Sequence, residues 1–404
     1  MHNKICFVFS GVGSQWPGML SDLLSFKVFQ QSLLAIDQEF INQGFSTLLT
    51  QFHQKELSSH LAQPLIFAMQ VSLFRLLESL AIKADAVLGH SSGEIAAAVA
   101  SRALSLSDGI TLVLEQHLIS TTEDIGQALF VAINKQTAKL LCQHYPPLVI
   151  TTENSPSSVI LSGPKEAIIT LINKLNNQAI FNKRIPTALP FHSPYVKLGL
   201  AEFRKNISKI TANKPLYTFI SSLTGESMTN STQCDVNYWC HQISKKVQFQ
   251  SAMQSALSLG YNNFIELSPH PILHNIINAN SLNHQGNINI QACLLRKSLG
   301  SNQIFTLLCE LEKQKFSLNL SAFTKQQRQV FKQIKQKTTE QDKLHQSVKT
   351  IRALCPAQQQ IKLADYLSVL INLVLNKKQH TANQSALQSR SFFELGLDSL
   401  SFFS

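Results

Sequence analysis

The chain has 404 residues, 44% of them hydrophobic, which suits one large domain with something smaller beside it. The net charge of +11 does not argue for nucleic acid. Much of the excess sits in one Gln-rich stretch holding Lys325, Arg328, Lys332, Lys335, Lys337, Lys343 and Lys349, with no interleaved aromatic residue beyond Phe331. The seven cysteines (Cys6, Cys142, Cys234, Cys240, Cys293, Cys309, Cys355) form no C-x-x-C pair and no Cys/His metal spacing, so they fit a reducing cytosol better than a disulfide framework.

In chain order, Ile5-Cys6-Phe7-Val8-Phe9 reads as a first β-strand, and the residues before it are too few for a signal segment. Helical periodicity covers Pro64–Leu80, Glu94–Ala100 and Ser107–Ile119, with an apolar strand at Ala84–Leu88. Strands alternate with helices to about residue 300, the pattern of an α/β domain. Between about 125 and 190 the units shorten. Ala128–Ile133 and Val159–Gly163 read as strands and Lys165–Leu175 as a helix, which predicts a small α+β subdomain inserted into the large one. A closing helix and strand are expected within 303–320, which ends the domain 1–320. A basic linker with some helical character is then expected over 321–355, and 356–404 forms a last segment with a helix at Ile361–Leu375. The apolar run Leu363–Leu375 is interrupted by Asp365, Ser368 and Asn372, and no run reaches membrane-spanning length, so a soluble cytoplasmic protein is expected.

The most informative stretch is Gly89-His90-Ser91-Ser92-Gly93-Glu94, between an apolar strand and an Ala-rich helix. Gly89 and Gly93 flank Ser91 in G-x-S-x-G spacing, which lets the backbone turn sharply from strand to helix. The turn presents the hydroxyl above the first free N–H groups of the helix, where negative charge developing on an attacked acyl carbonyl is favoured. Ser91 is therefore the candidate nucleophile.

From this point the residues resemble the acyltransferase domains of polyketide and fatty acid synthases, related to malonyl-CoA:acyl carrier protein transacylase. The ordered blocks are Phe9-Ser10-Gly11-Val12-Gly13-Ser14-Gln15-Trp16-Pro17-Gly18-Met19, Gln63-Pro64-Leu65-Ile66-Phe67-Ala68, the serine turn, Asn154-Ser155-Pro156 with Ser162-Gly163, Pro190-Phe191-His192-Ser193-Pro194, and Phe264-Ile265-Glu266-Leu267-Ser268-Pro269-His270-Pro271. The resemblance implies a large α/β-hydrolase-like subdomain carrying a small ferredoxin-like one. It implies His192 as the base, held by backbone carbonyls rather than a carboxylate, with Tyr238-Trp239-Cys240-His241-Gln242 nearby. His90 is the rival base, but its adjacency to Ser91 should point its side chain elsewhere. The oxyanion donors would be the backbone N–H groups of Ser92 and Val12, and Gln63, Phe191 and Gln116 would line the substrate site. The resemblance further implies acyl-CoA as substrate, an acyl carrier protein in cis or in trans and other synthase modules as partners, and no metal. The phrase Phe393-Glu394-Leu395-Gly396-Leu397-Asp398-Ser399-Leu400 resembles a carrier attachment site, in which Ser399 would bear phosphopantetheine within a partial helical carrier segment.

Extender-selecting relatives place arginine where Gln116 stands, to pair with the free carboxylate of a malonyl group. A neutral amide cannot replace that guanidinium, which points to a non-carboxylated acyl group such as acetyl. Passage from the first acyltransferase strand to a carrier site resembles a loading module. Three other readings stay open: an editing acyl hydrolase of the same fold, a generic esterase with Ser-Asp-His order, and a catalytically decayed remnant. Acyl-enzyme lifetime in buffer separates the first of these from a transferase.

Overall fold

In the computed structural model the residues described are 4–352, apart from 21, 55, 58–60, 121–125, 186–190 and 229. The chain divides into two units, Met1–Lys335 and Gln336–Ser404. The expected carrier segment, with its helix Ile361–Leu375 and Ser399, lies outside the described residues.

The first unit opens with β1 (Ile5–Phe9), α1 (Lys27–Asn42), α2 (Leu49–Phe52), α3 (Ala62–Ser79), β2 (Ala86–Gly89), α4 (Gly93–Ala100) and α5 (Leu106–Ser120). It continues through β3 (Gln127–Val131), α6 (Lys135–His144), β4 (Val149–Ser155), β5 (Ser158–Gly163), α7 (Lys165–Asn177) and β6 (Asn182–Ile185). Then follow α8 (Lys197–Asn206), β7 (Thr218–Ile220), β8 (Ser227–Met228), α9 (Val236–Ser244), α10 (Phe249–Ser258), β9 (Asn263–Leu267), α11 (His274–Ser281), β10 (Asn289–Ala292) and α12 (Gly300–Lys313). Helix α13 (Lys325–Arg352) begins in this unit and continues into the second.

Six strands form one sheet in the order β10-β9-β1-β2-β7-β8, parallel except for β8. Because side chains alternate along a strand, β1 feeds two cores. Ile5, Phe7 and Phe9 join the cluster beneath α1, α3 and α4, whereas Cys6 and Val8 join the one formed with Phe249, Met253 and Ile277. Both faces being covered explains why the strand reads as a continuous apolar run. Phe9 is level with Gly89 on one side and Leu267 on the other, so the three central strands end together. Loops leaving such aligned carboxyl ends are where open α/β sheets place their ligands.

Helix α3 is buried almost all round. Within it the buried amide of Gln70 donates to the carbonyls of Ser10 and Leu267 at 2.8 and 3.0 Å. That pair of bonds fixes the loops leaving β1 and β9.

The stretch between α5 and α8 makes a second, four-stranded antiparallel sheet in the order β4-β5-β3-β6. With α6 and α7 it follows the βαββαβ ferredoxin-like order. Its own core contains Leu129, Val131, Val159, Leu161, Ile168, Leu171 and Leu175. Strand β4 ties it to the large sheet's loops: Glu153 N–H donates to Val247 O and Val247 N–H to Thr151 O, both at 2.9 Å. The Glu153 carboxylate also pairs with Lys135 and Lys246.

Two local readings differ from the structure. Among the described residues no strand follows α12; residues 316–320 run irregularly and reach the rest of the unit by a bond from Asn319 N–H to Leu80 O. The start of the basic stretch also belongs to the core of the first unit, because Phe323 and Phe331 are buried against Phe26 and Phe305. The cysteines among the described residues are free thiols. Among those residues no helix is long and apolar enough to cross a membrane.

Candidate active site

Strand β2 runs straight into a turn at His90–Ser92 and then into α4. Ser91 takes φ +56°, a left-handed conformation costly for a residue with a side chain. The flanking glycines are required by contact. A Cβ at Gly89 would lie 2.2 Å from Glu94 Cα, and one at Gly93 would lie 2.2 Å from Phe9 O. The loop after β1 presses against this turn as well, since a Cβ at Gly11 would sit 3.3 Å from Ser91 Cβ. Among the described residues no acceptor meets the backbone N–H of Ser92 or of Val12.

The Ser91 hydroxyl lies 2.7 Å from His192 Nε2. His192 is likewise left-handed, at φ +63°, and is held from one side. Its backbone N–H donates to Ile243 O, and its ring Nδ1 lies 2.8 Å from Gln242 O. A carbonyl can only accept, so Nδ1 carries the proton and Nε2 turns its lone pair to the serine. Burial, reinforced by neighbouring His90 and opposed by the Gln242 carbonyl, lowers the His192 pKa to about 4. The ring is therefore neutral at neutral pH, the form a proton acceptor needs.

His90 points away from the pair. Its Nε2 contacts Asn154 Oδ1 at 2.8 Å and its ring lies edge-on to Phe249, and burial lowers its pKa also. Asn154 is fixed in turn by Asn280, which donates to its carbonyl at 2.9 Å.

Gln116 on α5 is 2% exposed. Its Nε2 donates to Gln242 Oε1 at 3.1 Å, and Gln242 Nε2 donates to the Ser91 carbonyl at 2.8 Å. The ring of Phe191 lies 6.4 Å from that of His192, while Leu189 and Pro190 fall outside the described residues. Gln63 stands in the first turn of α3, and its buried Oε1 has no hydrogen-bond partner among the described residues. The structure thus gathers Ser91, His192, Gln242 and Gln116 into one bonded group, sets Val12 and Ser92 beside it and leaves Ser399 undescribed.

Sequence reasoning named Glu94 and Tyr238 only inside longer motifs and gave neither a role of its own. Glu94 is 1% exposed and accepts from the Tyr238 hydroxyl at 2.6 Å, from Ser222 N–H at 2.9 Å and from the Ser222 hydroxyl at 3.2 Å. Burial raises its pKa against those donors. The available signal was spacing: Tyr238 and Gln242 are four apart, hence on one face of α9. A hollow of about 580 Å³ lined by Arg75, Glu78, Arg102 and Lys214 touches Val99 and Ala100, the end of α4 away from Ser91, and takes no residue from this group.

A parallel sheet that presents a serine on a strained strand-to-helix turn, faced by a neutral imidazole, belongs to the enzymes that handle acyl groups through a serine ester. Comparison with known proteins narrows that class. The profile of the acyl transferase domain family matches residues 6–314, and the chain belongs to that family; it is an acyltransferase domain of the polyketide synthase type. It is 32% identical over 279 residues to polyketide synthase GfsA of Streptomyces halstedii, a match covering 67% of this chain and 4% of that protein. The chain therefore spans a small part of the length of its curated relatives. Among solved structures, a loading acyltransferase from the avermectin modular polyketide synthase aligns with TM-score 0.71 and 30% identity, covering 76% of this chain and 99% of that one. The acyltransferase domain from module 8 of the salinomycin polyketide synthase aligns with TM-score 0.74 and 26% identity, covering 79% and 77%.

Proposed function

We propose that this domain takes an acyl group from acyl-CoA, holds it as an ester on Ser91 and passes it to the phosphopantetheine thiol of an acyl carrier protein, and that the group is a non-carboxylated starter. The observation that carries the reading is the 2.7 Å contact between Ser91 Oγ and a neutral His192 whose other nitrogen is engaged by Gln242 O.

In the first half-reaction His192 Nε2 takes the Ser91 proton as Oγ attacks the thioester carbonyl. The oxygen that gains charge is met by the Ser92 and Val12 N–H groups, which have no acceptor of their own among the described residues. The C–S bond breaks and the departing sulfur receives the proton from His192, releasing CoA thiol. In the second half-reaction the carrier thiol gives its proton to His192 and attacks the ester. The C–O bond breaks, and Ser91 Oγ regains the proton. The carrier acts in cis, through the segment 356–404 that holds Ser399, or in trans from another synthase module.

The choice of acyl group follows from Gln116. Its amide is neutral and already committed to Gln242, so it offers no counter-charge to an acyl carboxylate. Burying such a carboxylate unpaired costs several kcal/mol. Gln63 Oε1, buried and without a hydrogen-bond partner among the described residues, suits a donor on the bound substrate. Intact-mass measurement of acyl adducts across a panel of CoA thioesters, with Ser91→Ala as control, tests both parts. An acetyl adduct that Ser91→Ala abolishes supports the reading. A clear preference for malonyl-CoA overturns the starter assignment, and no adduct with any thioester overturns the acyl-enzyme.

A further inference from the structure

We propose that Glu94 is a positioning residue for acyl transfer: through Tyr238 it clamps α9 against the serine turn and so sets the distance from the Ser91 hydroxyl to the His192 imidazole. The inference rests on Ser91 and His192 being the reacting pair.

His192 is placed by α9 more than by its own segment. Its backbone N–H and its ring Nδ1 both bond to carbonyls at the end of that helix, those of Ile243 and Gln242. Wherever α9 goes, the imidazole follows. The turn that holds Ser91 is joined to α9 at two points. One is the bond from Gln242 Nε2 to the Ser91 carbonyl, and the other is the bond from the Tyr238 hydroxyl to Glu94 Oε1. On α9 the two points, Tyr238 and Gln242, are about one helical turn apart, roughly 6 Å along its axis. On the other side Glu94 follows Ser91 by three residues, its N–H donating to the Ser91 carbonyl at 3.0 Å.

A single tether would let α9 pivot about the Ser91 carbonyl. The second removes that freedom, and only then is the approach of imidazole to hydroxyl fixed. The Glu94 carboxylate cannot drift, because Ser222 holds it by its N–H and hydroxyl at the end of β7. The Tyr238 hydroxyl is held also, lying 2.7 Å from Ser221 Oγ. An apolar contact could join two helices at lower cost than a buried carboxylate. It would not set the direction of approach, which hydrogen bonds do.

The test compares single-turnover acylation by acetyl-CoA, across pH, in the wild-type chain, Tyr238→Phe, Glu94→Asp and Glu94→Gln, with thermal melts to score folding and Ser91→Ala as the adduct control. In Tyr238→Phe the acylation rate constant should fall about tenfold or more while the KM for acetyl-CoA stays within about twofold, the mark of lost alignment rather than lost binding. The lower pH midpoint of acylation should rise as the ring leaves its buried seat. Glu94→Asp, which draws the carboxylate back by one methylene, should show the same two effects and decides the matter if Tyr238→Phe does not fold. Glu94→Gln keeps the length and an acceptor, and its rate should stay within about threefold of wild type. Folded Tyr238→Phe or Glu94→Asp with wild-type rate and midpoint overturns the clamp alone. A wild-type chain that forms no adduct, or an adduct that survives Ser91→Ala, overturns instead the reading on which it rests.

Discussion

Gln116 donates to Gln242 across 3.1 Å, and that bond decides which end of the Gln242 amide faces Ser91. With its Oε1 occupied by Gln116, Gln242 must turn Nε2 to the Ser91 carbonyl, 2.8 Å away. Gln116, proposed above to choose the acyl group, is thus built into the support of the turn that holds Ser91.

Substitution at Gln116 should therefore change selectivity and stability separately. Gln116→Arg supplies a guanidinium that can still donate to Gln242 and adds a charge for an acyl carboxylate. The ratio of malonyl to acetyl acylation should rise about tenfold or more, read by adduct mass in competition between the two thioesters. Gln116→Leu removes the donor instead and strands a buried Oε1. It should cost about 1–3 kcal/mol in urea unfolding.

The left-handed turn at Ser91 stores backbone strain. Ser91→Ala and Ser91→Gly both remove the hydroxyl, and both should form no acyl adduct. They differ in the Cβ that φ +56° disfavours. The glycine variant should be the more stable of the two by about 1 kcal/mol in urea unfolding. Equal stability would mean that the turn is unstrained.

Packing at the same turn forbids the opposite change. Gly89→Ala and Gly93→Ala would each drive a methyl to within 2.2 Å of backbone atoms that belong to a central strand or to α4. Neither neighbour is a flexible side-chain tip that can swing aside. Each substitution should cost about 4 kcal/mol or more, seen as loss of soluble protein or of a cooperative melt.

What was legible in the chain follows from the range over which each feature is encoded. The serine turn is local, since two glycines, a strand and a helix all fall within a few residues, and it was readable without a fold. His192 carries no such signal; its partner is the backbone carbonyl of Gln242, which any residue supplies, so family resemblance alone pointed to it. Strand β4 was hidden because Thr151, Thr152, Glu153 and Asn154 look like loop, yet they are buried by pairing with Val247 and by the lysines around Glu153. The Gln- and Lys-rich stretch after residue 320 gave a solvated pattern. Its two phenylalanines, packed on Phe26 and Phe305, anchor its start to the core over a distance in sequence that no local pattern reveals.

The final prediction concerns acid. The His192 pKa is lowered to about 4, below the value of about 6.5 for an unfolded histidine, so between those values the unfolded chain binds a proton that the folded chain does not. The stabilisation from a neutral, buried His192 is complete above about pH 6.5 and is lost as pH falls towards about 4. His90, also buried and lowered, acts in the same direction. The urea midpoint should therefore drop steeply across this window, and His192→Gln, which cannot titrate, should flatten the slope. Acylation should persist through the same window, because the folded ring stays neutral, and should be half lost near pH 4. A chain that loses acylation near pH 6.5 while still folded would show that the base titrates as an ordinary solvent-exposed histidine, and the buried geometry around Gln242 would then not describe the working enzyme.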